Sequence, residues 1–382
     1  MLVLGLGISL GADKLAYSSE EWSAFREYFD SRTELYDYQF DFVIDYESNA
    51  EIYEAAGVTQ MQQVLLENYN FGVDDSIDEK LLTRLKEEVQ KSPDAGGLFR
   101  KSFTEALWSL CHIHWLGSSD RPYNLVLLLS GILLLLLSWK KGHRHLLWQV
   151  PMCYAAGSVL WMFLLLRDRP VDRVFHPLYL GQIVVFAGIW LLELRREKEM
   201  QVSAKENMKR AVWEEPAKVA AAASTALVLT VCAIFVLPAF SAVSKEYADR
   251  EAVNQTNEAV MAYCMSHSDR LFLEDVYSTV YYSEKISVDR NKPFNYDLLG
   301  GWLVKSPLTV KKMSAFGYSG MGEAVLAGEN VSLLAETGSD MQWLEDYFLQ
   351  EGVSAKVIRT GELTQGVEIY QVVSENTGET LR

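Results

Sequence analysis

The chain has 382 residues, a formal net charge of −16 and a mean hydropathy of zero. These averages would suit an acidic soluble enzyme of two or three domains, but they mix one hydrocarbon-like third with two acidic thirds. The acidic thirds lack the clustered Lys and Arg that phosphate backbones require, so no nucleic-acid partner is expected.

The chain opens with Met1–Ala12 (MLVLGLGISLGA), 12 residues that are apolar throughout. No basic flank precedes them, and the run is shorter than a span or a signal peptide requires. The expectation is a partial first transmembrane helix over residues 1–16, its beginning lying upstream of Met1, with an intact short anchor as the other reading.

Residues 17–122 carry 21 acidic and 9 basic side chains. Ser18 or Ser19, followed by acidic residues, predicts the start of a helix running to about Tyr36. Asn49–Ala56 and Thr59–Asn68 predict two more, the second capped by Thr59. In Ile77–Lys91 (IDEKLLTRLKEEVQK), Leu81, Leu82, Leu85 and Val89 fall on one helical face. Leu98–Leu116, with Trp108 and Trp115, predicts an interfacial helix. His112 and His114 flank Ile113 beside Cys111, but helical residues two apart point nearly opposite ways, which disfavours a metal site. The segment is expected to be a mainly helical extracytoplasmic domain.

Four runs follow without a single Asp, Glu, Lys or Arg: Tyr123–Trp139, Leu146–Leu166, Val174–Leu192 and Val219–Ser241. Each approaches the ~20 residues with which a helix crosses ~30 Å of hydrocarbon. The absence of intramembrane charge argues against an ion or proton pathway. The loops Lys140–His145 (KKGHRH) and Glu193–Lys218 together hold a net charge of +4, while the rest of the chain sums to −20. Lys and Arg in short loops mark the cytoplasmic side. Five crossings are therefore expected, with the N-terminus cytoplasmic and both acidic segments outside, in a multi-pass cell-membrane protein.

The turn Arg167–Arg173 (RDRPVDR) breaks this pattern by placing three arginines outside. In one reading Asp168 and Asp172 neutralise it. In the other, Arg167, Arg169 and Arg173, with His176, grip an anionic group such as a lipid-linked phosphate, whose geometry guanidinium forks match.

Residues 242–382 carry 21 acidic and 12 basic side chains. Lys245–His267 predicts a helix. Leu271–Val276, Val331–Ala335, Ala355–Arg359 and Val367–Val373 predict strands, with a helix over Asp340–Glu351. Helices alternating with short apolar strands imply a small extracytoplasmic α/β domain with right-handed crossovers. Gly317–Gly322 (GYSGMG) reads as a helix cap and turn, since it lacks the strand–loop–helix context of a nucleotide site. Asn295–Pro307 (NYDLLGGWLVKSP) reads as a tight turn in which Trp302 either stacks on a glycan or plugs a small core. The four cysteines show no CxxC or zinc spacing; Cys111 and Cys264 either pair in an oxidising compartment or remain free thiols. No cofactor and no metal are indicated.

The stretches AYSSEEW, RTELYDY and LLGGWLVKSP resemble a loosely defined group of uncharacterised polytopic membrane proteins of Gram-positive bacteria. The order of spans followed by an outer α/β domain is similar to the rear half of polytopic glycosyltransferases that use polyprenyl-phosphate sugars. That resemblance implies a catalytic carboxylate in the first outer loop, where Asp13, Asp37, Asp41 and Asp45 stand, although such enzymes generally have more spans. The expected function is therefore binding or scaffolding around an envelope glycan or lipid-linked intermediate, within the bilayer and as part of a membrane-protein complex. The alternatives are a glycosyltransferase-like enzyme and a purely structural subunit.

Overall fold

The computed structural model describes residues 2–38, 45–92, 101–115, 120–139, 142–168, 171–205, 214–282 and 293–374. It is mostly helical, with a mixed sheet near the C-terminus, and divides into two compact units. Met1–Ala95 and Tyr247–Arg382 form one, the terminal unit; Gly96–Glu246 form the other, the middle unit. The two acidic ends of the chain, read from sequence as separate modules, thus share one unit.

The terminal unit contains α1 (Leu2–Ala16), α2 (Glu20–Tyr38), α3 (Ala50–Ala56), α4 (Gln60–Glu67) and α5 (Glu79–Lys91). Local chemistry sets their starts. The Ser19 hydroxyl accepts from the Trp22 amide at 3.4 Å. Thr59 and Gln62 form a complete capping box, and Asp78 accepts from the Leu81 amide at 2.8 Å. The four apolar residues read from the α5 sequence are all buried.

The sheet has the order β2-β1-β3-β5-β4, formed by β1 (Leu271–Glu274), β2 (Tyr296–Leu298), β3 (Val331–Glu336), β4 (Ala355–Thr364) and β5 (Val367–Ser374). Strands β1, β2 and β3 are parallel, while β5 runs antiparallel to β3 and forms a hairpin with β4. The expected α/β character is present, with a hairpin replacing a final crossover. Strand β1 is buried along its whole length, as a strand covered on both faces must be. On one face Leu271, Leu273, Leu333 and Ala335 join the main core with residues of α2–α5. Helices α11 (Pro307–Ala315), α12 (Met321–Ala327) and α13 (Gln342–Gln350) add Met313, Met321 and Phe348 to it. On the other face Phe272, Tyr296 and Leu334 meet Val260 and Cys264, near the end of α10 (Glu214–Ser266). Cys264 and the exposed Cys111 are both free thiols.

The middle unit is built from α6 (Phe103–Trp115), α7 (Tyr123–Leu137), α8 (Leu146–Leu166), α9 (Asp172–Lys205) and the first part of α10. Trp161, Phe175, Tyr179 and Phe186 centre its core. Among the described residues, two helices are long and apolar enough to cross a membrane: Leu146–Leu166 and Asp172–Arg196, of 21 and 25 residues. Helix α7 has the same character but only 15 residues, while α1, also of 15 residues, carries Asp13 and Lys14 near its end. The expected span Val219–Ser241 lies within continuous helix, most of its side chains falling outside the description.

Two glycines mark where the N-terminal segment meets the sheet. A Cβ on Gly300 would strike the Tyr69 carbonyl oxygen, and one on Gly72 the Leu299 carbonyl oxygen. Overpacking of this kind costs roughly 1–3 kcal/mol. Gly300→Ala and Gly72→Ala should each lower the thermal midpoint of the purified protein, whereas Gly361→Ala, with open space around it, should leave it unchanged.

Candidate functional site

In open α/β sheets a ligand crevice forms at the carboxyl ends of the strands, where neighbouring connections run to opposite sides. Here β1 lies between β2 and β3, and Asn70 and Gly72 of the same chain bind just past the carboxyl ends of β1 and β2. Asn70 donates through Nδ2 to Asp275 Oδ1 at 2.6 Å and accepts through Oδ1 from the Val276 amide at 3.1 Å. Asp275 Oδ2 accepts from the Ser278 amide and hydroxyl, both at 3.0 Å. The Gly72 amide donates to Leu299 O at 2.8 Å. These bonds tie the segment around Asn70 to the sheet, which makes this place a structural joint.

Beside this joint lies a cleft of about 210 Å³ lined by Glu21, Phe25, Asp75, Asp78, Lys305 and Met321, among others. Lys305 adopts a left-handed backbone (φ 65°) immediately before Ser306, whose hydroxyl caps α11. The Lys305 ammonium donates to the Asp74 carbonyl, and burial pushes its pKa down to about 8 against the opposing pull of Asp75, Asp74 and Asp78. A lysine depressed by desolvation inside a cleft is a candidate binding or acid–base group.

Trp302 sits close by in sequence and is half exposed. The Arg32 guanidinium stands 3.9 Å from its ring centroid. Arg32 is wholly buried, with Phe71 at 5.7 Å and Tyr36 at 5.5 Å completing an aromatic cage. Among the described residues its three guanidinium nitrogens have no hydrogen-bond partner, and burial lowers its pKa. Cation–π contact therefore supplements the pull of the Asp37 carboxylate on this charge, and one approach to the Trp302 ring that a sugar would use is taken by this arginine.

The remaining carboxylate candidates have local partners. Asp13 pairs with Arg26 at 3.1 Å. Asp45 is exposed, and its pKa is lowered by the Ser48 hydroxyl and then by the Ser48 amide, which donates to it at 3.2 Å. Asp41 lies outside the described residues, as does Arg169.

In the middle unit, Arg167 lies 5.7 Å from the Phe163 ring centroid and Arg173 is exposed. Asp168 pairs with Lys101 at 2.6 Å. His176 joins a different set. Its Nε2 is 3.5 Å from Oδ1 of the buried Asp120, and its ring packs tilted against Tyr123, with centroids 4.8 Å apart. Asp120 also accepts from the Tyr179 hydroxyl at 3.4 Å, and burial raises its carboxyl above the ordinary range while His176 opposes the shift. Asp172 completes a group whose ligand atoms all lie within 4.8 Å of one another. Asp120 carries no sequence signal, since it stands in an unremarkable Ser-Ser-Asp-Arg-Pro stretch.

At the KKGHRH loop, Glu193 binds His145 Nε2 at 2.9 Å and also His143 Nδ1. This clasp ties the α7–α8 connection to α9.

The chain matches no protein-family model, no curated protein and no solved structure. Its chemistry is therefore read from its own residues.

Folding lowers the Lys305 pKa, so between about pH 8 and its ordinary 10.5 the unfolded chain binds more protons and stability rises with pH. The thermal midpoint of wild type should rise relative to that of Lys305→Met between about pH 7.5 and about pH 10. Parallel curves for the two proteins would show that Lys305 is not perturbed.

Proposed function

We propose that this is a multi-pass cell-membrane protein that binds an envelope glycan or the sugar portion of a lipid-linked intermediate through its water-exposed terminal unit. The observation that carries the membrane reading is the exposure of its apolar helices. Only 22% and 17% of the most apolar windows of α8 and α9 are buried. Leu147, Val159, Leu160, Val184 and Leu192 all point outward. The core helix of a soluble protein would hide such residues, whereas a bilayer accepts them. Exposed Phe103 and Trp108 on α6 suit an interfacial position. The charge asymmetry of the loops favours five crossings, the N-terminus cytoplasmic and the terminal unit outside.

The ligand class follows from the charge of the cleft. Glu21, Asp75, Asp78 and Glu79 outnumber Lys305, so a phosphate is repelled there, while hydroxyl-rich neutral sugars meet acceptors and the apolar surface of Phe25. A second reading, a glycosyltransferase-like enzyme acting on a lipid-linked sugar, draws on the polar cluster where RDRPVDR enters α9.

Membrane fractions washed with alkaline carbonate should retain the full chain. Reporter fusions after Lys141 and Arg382 should report inside and outside respectively. Release of the chain by carbonate would refute the membrane reading, and reversed reporters would refute the orientation alone.

A further inference from the structure

We propose that Asp120, Asp172 and His176 form a binding site for a divalent transition-metal ion, of the manganese or zinc class, in the middle unit. Two of the ligands are set by helical geometry. Asp172 and His176 are four residues apart in the first turns of α9, a spacing that brings side chains onto one face. Asp120, three residues before α7, reaches the same point from a separate part of the chain.

The arrangement is unfavourable as a simple ion pair. The 3.5 Å from His176 Nε2 to Asp120 Oδ1 exceeds the roughly 2.7–3.2 Å of a well-formed N–H···O bond, and among the described residues this buried nitrogen has no better partner. The Asp120 side chain is only 3% exposed, and the Asp172 carboxylate stands close to it. A cation among the three resolves both deficits. Ligand atoms about 2.0–2.2 Å from a tetrahedral ion stand about 3.4 Å apart, close to the Asp120–His176 separation. Exposed Asp172 can close the remaining gap by a rotamer change.

The surroundings are those of a held ligand set. The Tyr179 hydroxyl donates to the Asp120 oxygen that does not face His176. Tyr179 is itself fixed edge-on against fully buried Trp161, with ring centroids 4.3 Å apart. Hydrogen bonds of this outer kind orient metal ligands. Two carboxylates with one imidazole suit Mn²⁺ or Zn²⁺ better than Mg²⁺ or Ca²⁺, which prefer all-oxygen sets. Three protein ligands leave coordination positions open to water or to an anionic group. The proposal does not depend on the glycan reading.

The test is a titration of the detergent-solubilised full chain with MnCl₂, with free Mn²⁺ read from its paramagnetic resonance signal, followed by displacement with ZnCl₂. Wild type should bind one Mn²⁺ per chain, and one equivalent of Zn²⁺ should release it. Asp172→Asn and His176→Gln should each weaken binding by at least about tenfold, the smallest loss seen even for outer-shell changes. Asp168→Asn should bind as wild type. Mn²⁺ should also raise the thermal midpoint of wild type but not that of Asp172→Asn, which alters an exposed side chain and decides the matter even if His176→Gln fails to fold. No saturable binding, or binding equal to wild type in Asp172→Asn, would overturn the proposal.

Discussion

The terminal unit depends on one buried polar contact: the Asn70 side chain bound to Asp275 and to the Val276 amide. Asn70 is wholly buried and Asp275 nearly so, which places a carboxylate and an amide where water cannot satisfy them. Hydrogen bonds to charged groups are worth about 1.5–3 kcal/mol, and an orphaned partner in such a place costs a similar amount. The contact joins residues 205 positions apart. It seats the segment from which Phe71 and Val73 enter the core, and it brings the Asp74 carbonyl to the Lys305 ammonium. The acidic cleft exists because this segment sits where an α/β protein would otherwise leave an open crevice.

Local signals explain what was legible before the structure. Thr59 with Gln62, the heptad-like leucines of 79–91, and the apolar runs of β1 and β3 each act over a few residues. Pairings between distant segments were not legible. Strand β2 is only three residues long and hides in NYDLLGG, which reads as a turn because its two glycines dominate the pattern. Those glycines have another cause: a side chain at Gly300 would collide with Tyr69. Gly317, in turn, is the left-handed residue that follows α11, in keeping with a cap and turn. The union of the two acidic segments left no trace because nothing in either apolar pattern names its partner.

The candidate sites show the same divide. Trp302 stands out in sequence, but the stacking group near it is the protein's own Arg32. The RDRPVDR turn draws notice for its arginines, yet the convergent side chains there are Asp172 and His176 with Asp120. Tyr123 packs on both His176 and Tyr179, and the Tyr179 hydroxyl donates to Asp120. The middle unit's apolar helices are a compositional signal, and their exposed faces are the structural counterpart of it.

Hydrogen–deuterium exchange on the intact chain carrying Asn70→Ala tests most directly whether the segment at 69–78 is the joint of the terminal unit. The account predicts that amide protection falls together at residues 69–78 and at β2 with the turn that follows it, 296–306, because each holds the other. Loss confined to 69–78, with 296–306 protected as in wild type, would contradict it.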